Sequence, residues 1–150
     1  ALAAAAFEDA LRHYEEALSL LADDDRRGRA DLQHQRGLAL RSVGRWDEAQ
    51  RWLREMESSG DSEFAALARF NLAETYERTG KPDQAAALYR QLMEKPAVLV
   101  PKPLVMLALA DNLSTRNPAE AQKLYEQIKK DYPDSAVADQ ADRALETLKL

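Results

Sequence analysis

Between Phe7 and Leu21 the apolar positions are Phe7, Ala10, Leu11, Tyr14, Ala17, Leu18 and Leu21. Their i, i+3, i+4, i+7 spacing places them on one face of a helix. The charged stretch Asp23 to Arg27 ends this pattern, which resumes to predict helices from about Gly28 to Val43 and from about Trp46 to Ser58, separated at Gly44. After Gly60, Asp61 or Ser62 is placed to cap a fourth helix. The fourth and fifth helices meet at Gly80-Lys81-Pro82, where glycine supplies a positive φ and proline occupies a first turn that needs no N–H. The segment PAVLVPKPLVMLALA is apolar but carries Pro96, Pro101 and Pro103. It therefore predicts a loop to about Val100 and a helix from about Pro101 to Thr115, not one continuous span. A seventh helix starts at Asn117-Pro118 and stops before Tyr132-Pro133. An eighth, capped by Asp134 or Ser135, runs to about Lys149 with Ala136, Val137, Ala141, Ala144, Leu145 and Leu148 inward. No segment alternates with the period of two that a strand requires, so the expected class is all-α.

The pattern itself repeats. Ala49, Ala85 and Ala121 are spaced 36 residues apart, and Ala10 precedes Ala49 by 39. Four residues after each stands a large side chain: Tyr14, Leu53, Tyr89 or Tyr125. Three before stands Phe7, Trp46, Pro82 or Pro118. A small residue lets two helices approach, and a large one fills the space between neighbouring units. A period of this length indicates stacked helical hairpins.

The most regular unit has Leu72-Ala73, Tyr76, Gly80, Ala85, Tyr89 and Pro96. The unit before it has Gly37, Leu40, Gly44, Trp46, Ala49 and Leu53, with Arg36 where leucine is usual. The unit after it has Leu109-Ala110, Leu113, Ala121, Tyr125 and Pro133, with a shorter turn lacking glycine. This arrangement resembles the tetratricopeptide repeat. The resemblance implies one α-solenoid domain over residues 1–150: a half-repeat 1–22, repeats at about 28–60, 61–96 and 101–132, and a capping helix 134–149. It also implies a non-catalytic adaptor that binds a protein or peptide in a concave groove lined by the first helix of each repeat.

Counting from the landmark glycines, the groove candidates are His34, Leu38 and Arg41, then Phe70, Asn71, Glu74 and Arg78, then Leu107, Asp111 and Ser114. They suit a peptide with an apolar anchor near Phe70 and polar ends. Family members that clamp a C-terminal carboxylate place lysine and asparagine on successive first helices. Here those places hold His34 and Leu38, Asn71, and Leu104 and Ala108, so the tails of cytosolic heat-shock chaperones are not expected partners.

Residues Leu88 to Lys149 also look like the C-terminal part of bacterial repeat proteins related to the ancillary subunit of the Sec translocon. The likeness rests on Lys95-Pro96 with Val100-Pro101-Lys102, on Leu107 to Asp111 and on Tyr125 to Ser135. It implies envelope protein biogenesis and a periplasmic domain held by an N-terminal membrane anchor, with a cytoplasmic location as the alternative. The sequence opens at ALAAAAFEDAL, inside a helical pattern and without cap or initiator Met, so a longer protein is expected.

Composition narrows the function classes. Charged residues make up 31% and apolar residues 45%, with a net charge of −5 and no basic stripe. This excludes a nucleic-acid binder, which must neutralise phosphates. There is no cysteine, hence no disulfide or thiolate metal site. No 18-residue apolar run is present, so this segment is not expected to insert into a membrane.

Gly60-Asp61-Ser62 reads as a helix cap, since no base is matched to the serine. Asp23 to His34 fails as a calcium loop because Arg27 and His34 occupy the fifth and twelfth places. His13 and His34 lie on different helices and do not form a metal pair, and no phosphate-binding loop is present. No enzyme activity, cofactor or metal is expected.

Tyr14, Trp46, Tyr76, Tyr89 and Tyr125 are assigned to packing. Trp52 falls between faces and is expected to be exposed as an interaction patch. Arg12, Glu15, Glu16, Asp23 to Asp25 and Lys129 to Asp131 read as solvated. Two alternative functions follow: a homodimer formed through Phe7, Leu11 and Tyr14 of the half-repeat, or a non-catalytic part of a larger enzyme or regulator.

Overall fold

A computed structural model describes residues 2–58 and 60–148. These contain helices α1 (Leu2–Leu20), α2 (Arg26–Ser42), α3 (Trp46–Glu57), α4 (Ser62–Arg78), α5 (Pro82–Glu94), α6 (Lys102–Leu113), α7 (Pro118–Asp131) and α8 (Ala136–Leu148), with no strand among the described residues. The fold is an all-α, tetratricopeptide-like solenoid. Each helix packs on the next in the chain, and α2 also packs on α4 and α6 on α8.

Helix ends follow local chemistry. Asp25 Oδ1 accepts from the Gly28 N–H at 2.8 Å, so α2 begins two residues before the expected glycine. Asp61 Oδ1 accepts from the N–H groups of Glu63 and Phe64 at 3.0 and 3.1 Å, and Ser135 Oγ accepts from Ala138 N–H at 3.2 Å. At the end of α4, Gly80 has φ +73. The Gly80 N–H bonds to Glu77 C=O at 3.3 Å and the Lys81 N–H to Tyr76 C=O at 2.8 Å, satisfying two terminal carbonyls that would otherwise lack partners. The turn between α6 and α7 has no glycine and closes instead through the Asn117 N–H on Leu113 C=O at 2.7 Å.

The main core runs from Leu53 through α4 to α8 and includes Leu72, Tyr89, Leu109, Tyr125 and Leu145. Ala49, Ala85 and Ala121 are all fully buried, as close helix approach requires. The loop before α6 is held by Val100, which is buried, and by the Leu99 N–H on Glu63 Oε2 at 2.9 Å.

α1 starts at Leu2, in keeping with a sequence that opens inside a helical pattern, because its alanine-rich run is a strong helix former even without apolar periodicity. Leu11 is buried, and Phe7 and Tyr14 pack with it against Leu40, Ala49 and Trp52. Of the face assigned to self-association, Leu11 is covered within the chain, while Phe7 and Tyr14 are half-buried.

Trp52 is half-buried rather than an exposed patch, because the Arg36 guanidinium lies 4.0 Å from its ring centroid. Glu15, expected to be merely solvated, pairs with Arg36 at 2.6 Å. Asp23 is solvated as expected, with Arg29 at 3.4 Å, and Lys129 forms a surface ion pair with Asp142. The expected end of the last helix at Lys149 lies outside the described residues.

Candidate functional site

On α4 the sequence places Glu74, Glu77 and Arg78 at i, i+3 and i+4, and on α6 it places Ala108, Asp111 and Asn112 at the same spacing. Each trio therefore shares a helix face. The two faces flank a cavity of about 320 Å³ with Tyr89 of α5 in its wall. Space exists here because α4 and α6 approach less closely than α2 and α4 or α6 and α8. A neighbouring cavity of about 280 Å³ is lined by Leu38, Arg41 and Ser42 of α2 and again by Arg78. Arg78, exposed, is common to both.

Most of the predicted groove residues meet here. Arg41 donates from Nη1 to Asn71 Oδ1 at 2.7 Å and from Nη2 to Glu74 Oε2 at 2.8 Å. Asn71 Nδ2 lies 3.0 Å from His34 Nε2 and donates to Leu67 C=O at 3.0 Å. His34, Arg41, Asn71 and Glu74 thus form one polar chain across α2 and α4. Burial lowers the His34 pKa from its ordinary value; the Asp31 carboxylate opposes that shift and the Arg41 cation reinforces it.

Three predicted residues sit elsewhere than expected. Leu107 is buried in the core, and its neighbour Ala108 takes the groove position, a displacement of one residue along α6. Phe70 is half-buried against the core, with its ring centroid 5.8 Å from that of Tyr89. Ser114 lines a separate cavity with Thr115, Tyr125 and residues of α8.

The sequence reading placed Ala108 at a clamp position but did not include Glu77, Tyr89 or Asn112 among the candidates that line this cavity. The i+3 spacing from Glu74 reaches Glu77, and the i+4 spacing from the clamp place at Ala108 reaches Asn112; neither reaches Tyr89. Asn112 is buried, and its Nδ2 donates to Pro82 C=O at 3.0 Å and to Glu77 Oε1. Its Oδ1 accepts from Arg116, which also pairs with Asp83. Asp111 Oδ1 accepts the Tyr125 hydroxyl at 2.5 Å.

Both phenols have raised pKa values. For Tyr89 burial is the main cause, with the carboxylates of Glu77, Glu74 and Asp111 adding and Arg41 opposing. For Tyr125 burial comes first, followed by the bond to Asp111. No group of three His, Asp or Glu among the described residues is arranged to hold a metal ion. No described helix is long and apolar enough to cross a membrane.

Tetratricopeptide-repeat family models match residues 4–71, 68–97 and 104–135. The chain is a tetratricopeptide-repeat protein. A comparison with curated proteins matches none of them. Tetratricopeptide repeats are in general non-catalytic modules for protein–protein interaction, which suggests a protein partner. In this tetratricopeptide-repeat protein the polar chain from His34 to Glu74 and the cavity beside Tyr89 occupy faces of α2, α4 and α6, which precede the turns at Gly44, Gly80 and Asn117.

Proposed function

We propose that this protein is an adaptor that binds an extended segment of a partner along the faces of α2, α4 and α6, with α1 as a half-repeat and α8 as the cap of three stacked units. One observation carries the reading: Arg78 belongs to both neighbouring cavities, so a continuous polar path runs from Leu38 to Asp111. Such a path suits main-chain groups and alternate side chains of an extended peptide better than one compact ligand. The resemblance of Leu88 to Lys149 to bacterial envelope proteins related to the Sec ancillary subunit supports a periplasmic partner, and this narrower reading rests on that resemblance alone.

Photo-crosslinking tests the surface. A benzophenone amino acid at Leu38, Arg78 or Ala108 should crosslink a partner, whereas one at Ala87 or Lys123, exposed on α5 and α7, should not. Equal crosslinking from both sets would remove the groove from the reading.

A further inference from the structure

Of the three buried tyrosines, two have hydroxyl partners. Tyr76 accepts from Arg54 Nη2 at 2.8 Å, and Tyr125 donates to Asp111 Oδ1 at 2.5 Å. Tyr89 is only 2% exposed and contributes to the wall of the cavity between α4 and α6. Its hydroxyl forms no hydrogen bond with the described residues, yet it is not sealed into the interior as the Arg36 and Gln50 nitrogens are. The hydroxyl therefore opens to the cavity with its hydrogen-bonding capacity unused by the described residues, so this position suits a polar ligand atom.

The repeat itself explains the difference. Tyr89 and Tyr125 occupy equivalent places, but the residue 36 before Asp111 is Thr75. Its hydroxyl donates to Asn71 C=O at 2.8 Å and so is not directed to the phenol.

The surrounding charge decides the ligand class. Glu77 and Asp111 accept hydrogen bonds from neutral groups, Asn112 and Tyr125, and neither forms an ion pair among the described residues. Glu74 is paired with Arg41. Arg78, exposed and without an ion pair among the described residues, lines the same cavity. An anion could use Arg78 and the Tyr89 O–H as donors, but it would face the carboxylates of Glu74, Glu77 and Asp111. A primary ammonium meets acceptors instead, with three donors on a compact head and an aliphatic stem suited to Ala108 and the Tyr89 ring.

We propose that the cavity between α4 and α6 is a subsite for a lysine side chain of the bound segment, with its ammonium donating to the Tyr89 hydroxyl oxygen among Glu74, Glu77 and Asp111. The site rests on the groove-binding reading and specifies the chemistry of the occupant.

Nuclear magnetic resonance titration with Nα-acetyl-lysine N-methylamide, beside its norleucine and glutamate counterparts, tests it. The lysine probe alone should shift the amides of Glu77, Tyr89 and Asp111 with millimolar saturation. Tyr89→Phe should weaken it about ten-fold or more, the loss of one hydrogen bond to a charged group. Glu77→Gln with Asp111→Asn should weaken it about ten-fold or more. Both sets keep the packing atoms, and near-ultraviolet circular dichroism confirms the fold.

Equal shifts from lysine and norleucine, or no effect of Tyr89→Phe, would overturn the subsite. A fluorescent extended peptide with one central lysine, and its norleucine version, separate the two readings. Equal binding of both peptides would leave the groove and remove the subsite. A lysine probe that binds while neither peptide binds more tightly than it would leave the subsite and remove the groove. No binding by any probe would overturn both.

Discussion

The guanidinium of Arg36 lies 4.0 Å from the ring centroid of Trp52 and donates from Nη2 to Glu15 Oε1 at 2.6 Å, tying α1 to the first helix pair. The side chain is buried and its Nε has no hydrogen-bond partner. Cation–π contact and stem packing hold it in place, whereas its ion-pair partner Glu15 is 59% exposed and contributes little. Arg36→Ala should therefore cost about 2 kcal/mol in urea unfolding and redshift Trp52 fluorescence. Arg36→Leu keeps apolar contact and removes the unpartnered nitrogen, so its stability should lie within about 1 kcal/mol of the parent. A larger loss for Leu than for Ala would contradict this account.

The two equivalent tyrosines predict opposite responses to loss of a hydroxyl. Tyr125→Phe removes the bond to Asp111 and should lower stability by about 1 kcal/mol. Tyr89→Phe removes a hydroxyl without a partner in the chain and retains the contact with Phe70, so unfolding should be unchanged or slightly harder. Denaturant midpoints of the two variants, measured side by side, check the contrast.

Much of this architecture was legible in the sequence because alanine spacing and helix punctuation act locally. Ala49, Ala85 and Ala121 specify close contact, while Gly80 and Pro82 specify a turn, whatever surrounds them. What was not legible depends on tertiary position. Leu107 and Ala108 are both apolar, and only the roll of α6 decides which enters the core. Trp52 falls between helix faces, so spacing alone predicts exposure, yet the stem and planar head of Arg36 cover it as packing material. Tyr89 carried a packing signal that was correct for its ring and silent about its hydroxyl.

Gly80 gives a clean measure of backbone strain. Its φ is +73, and a Cβ built there would meet nothing within 4 Å. Gly80→Ala should thus cost about 1 kcal/mol from conformation alone. Gly80→Asn should cost less, because asparagine tolerates the left-handed region better. Thermal unfolding in which Ala and Asn are equally harmful would point to a steric cause instead.

His34 links the groove to pH. Its folded pKa lies below the ordinary value of 6.5, chiefly through burial, with Arg41 adding and Asp31 opposing. The unfolded chain therefore takes up a proton at a higher pH than the folded chain does. By linkage, stability contributed by neutral His34 is fully present above the unfolded pKa and is lost as pH falls through about 6.5 toward the folded value. Protonation would also set a cation beside Arg41, which already binds Asn71 and Glu74. Urea midpoints measured from pH 7.5 down to about pH 5 should fall in the parent. In His34→Gln, which keeps a hydrogen-bonding amide near Asn71 and does not titrate, the fall should be shallower. If His34→Gln and the parent lose stability in parallel, the pH dependence belongs to other groups.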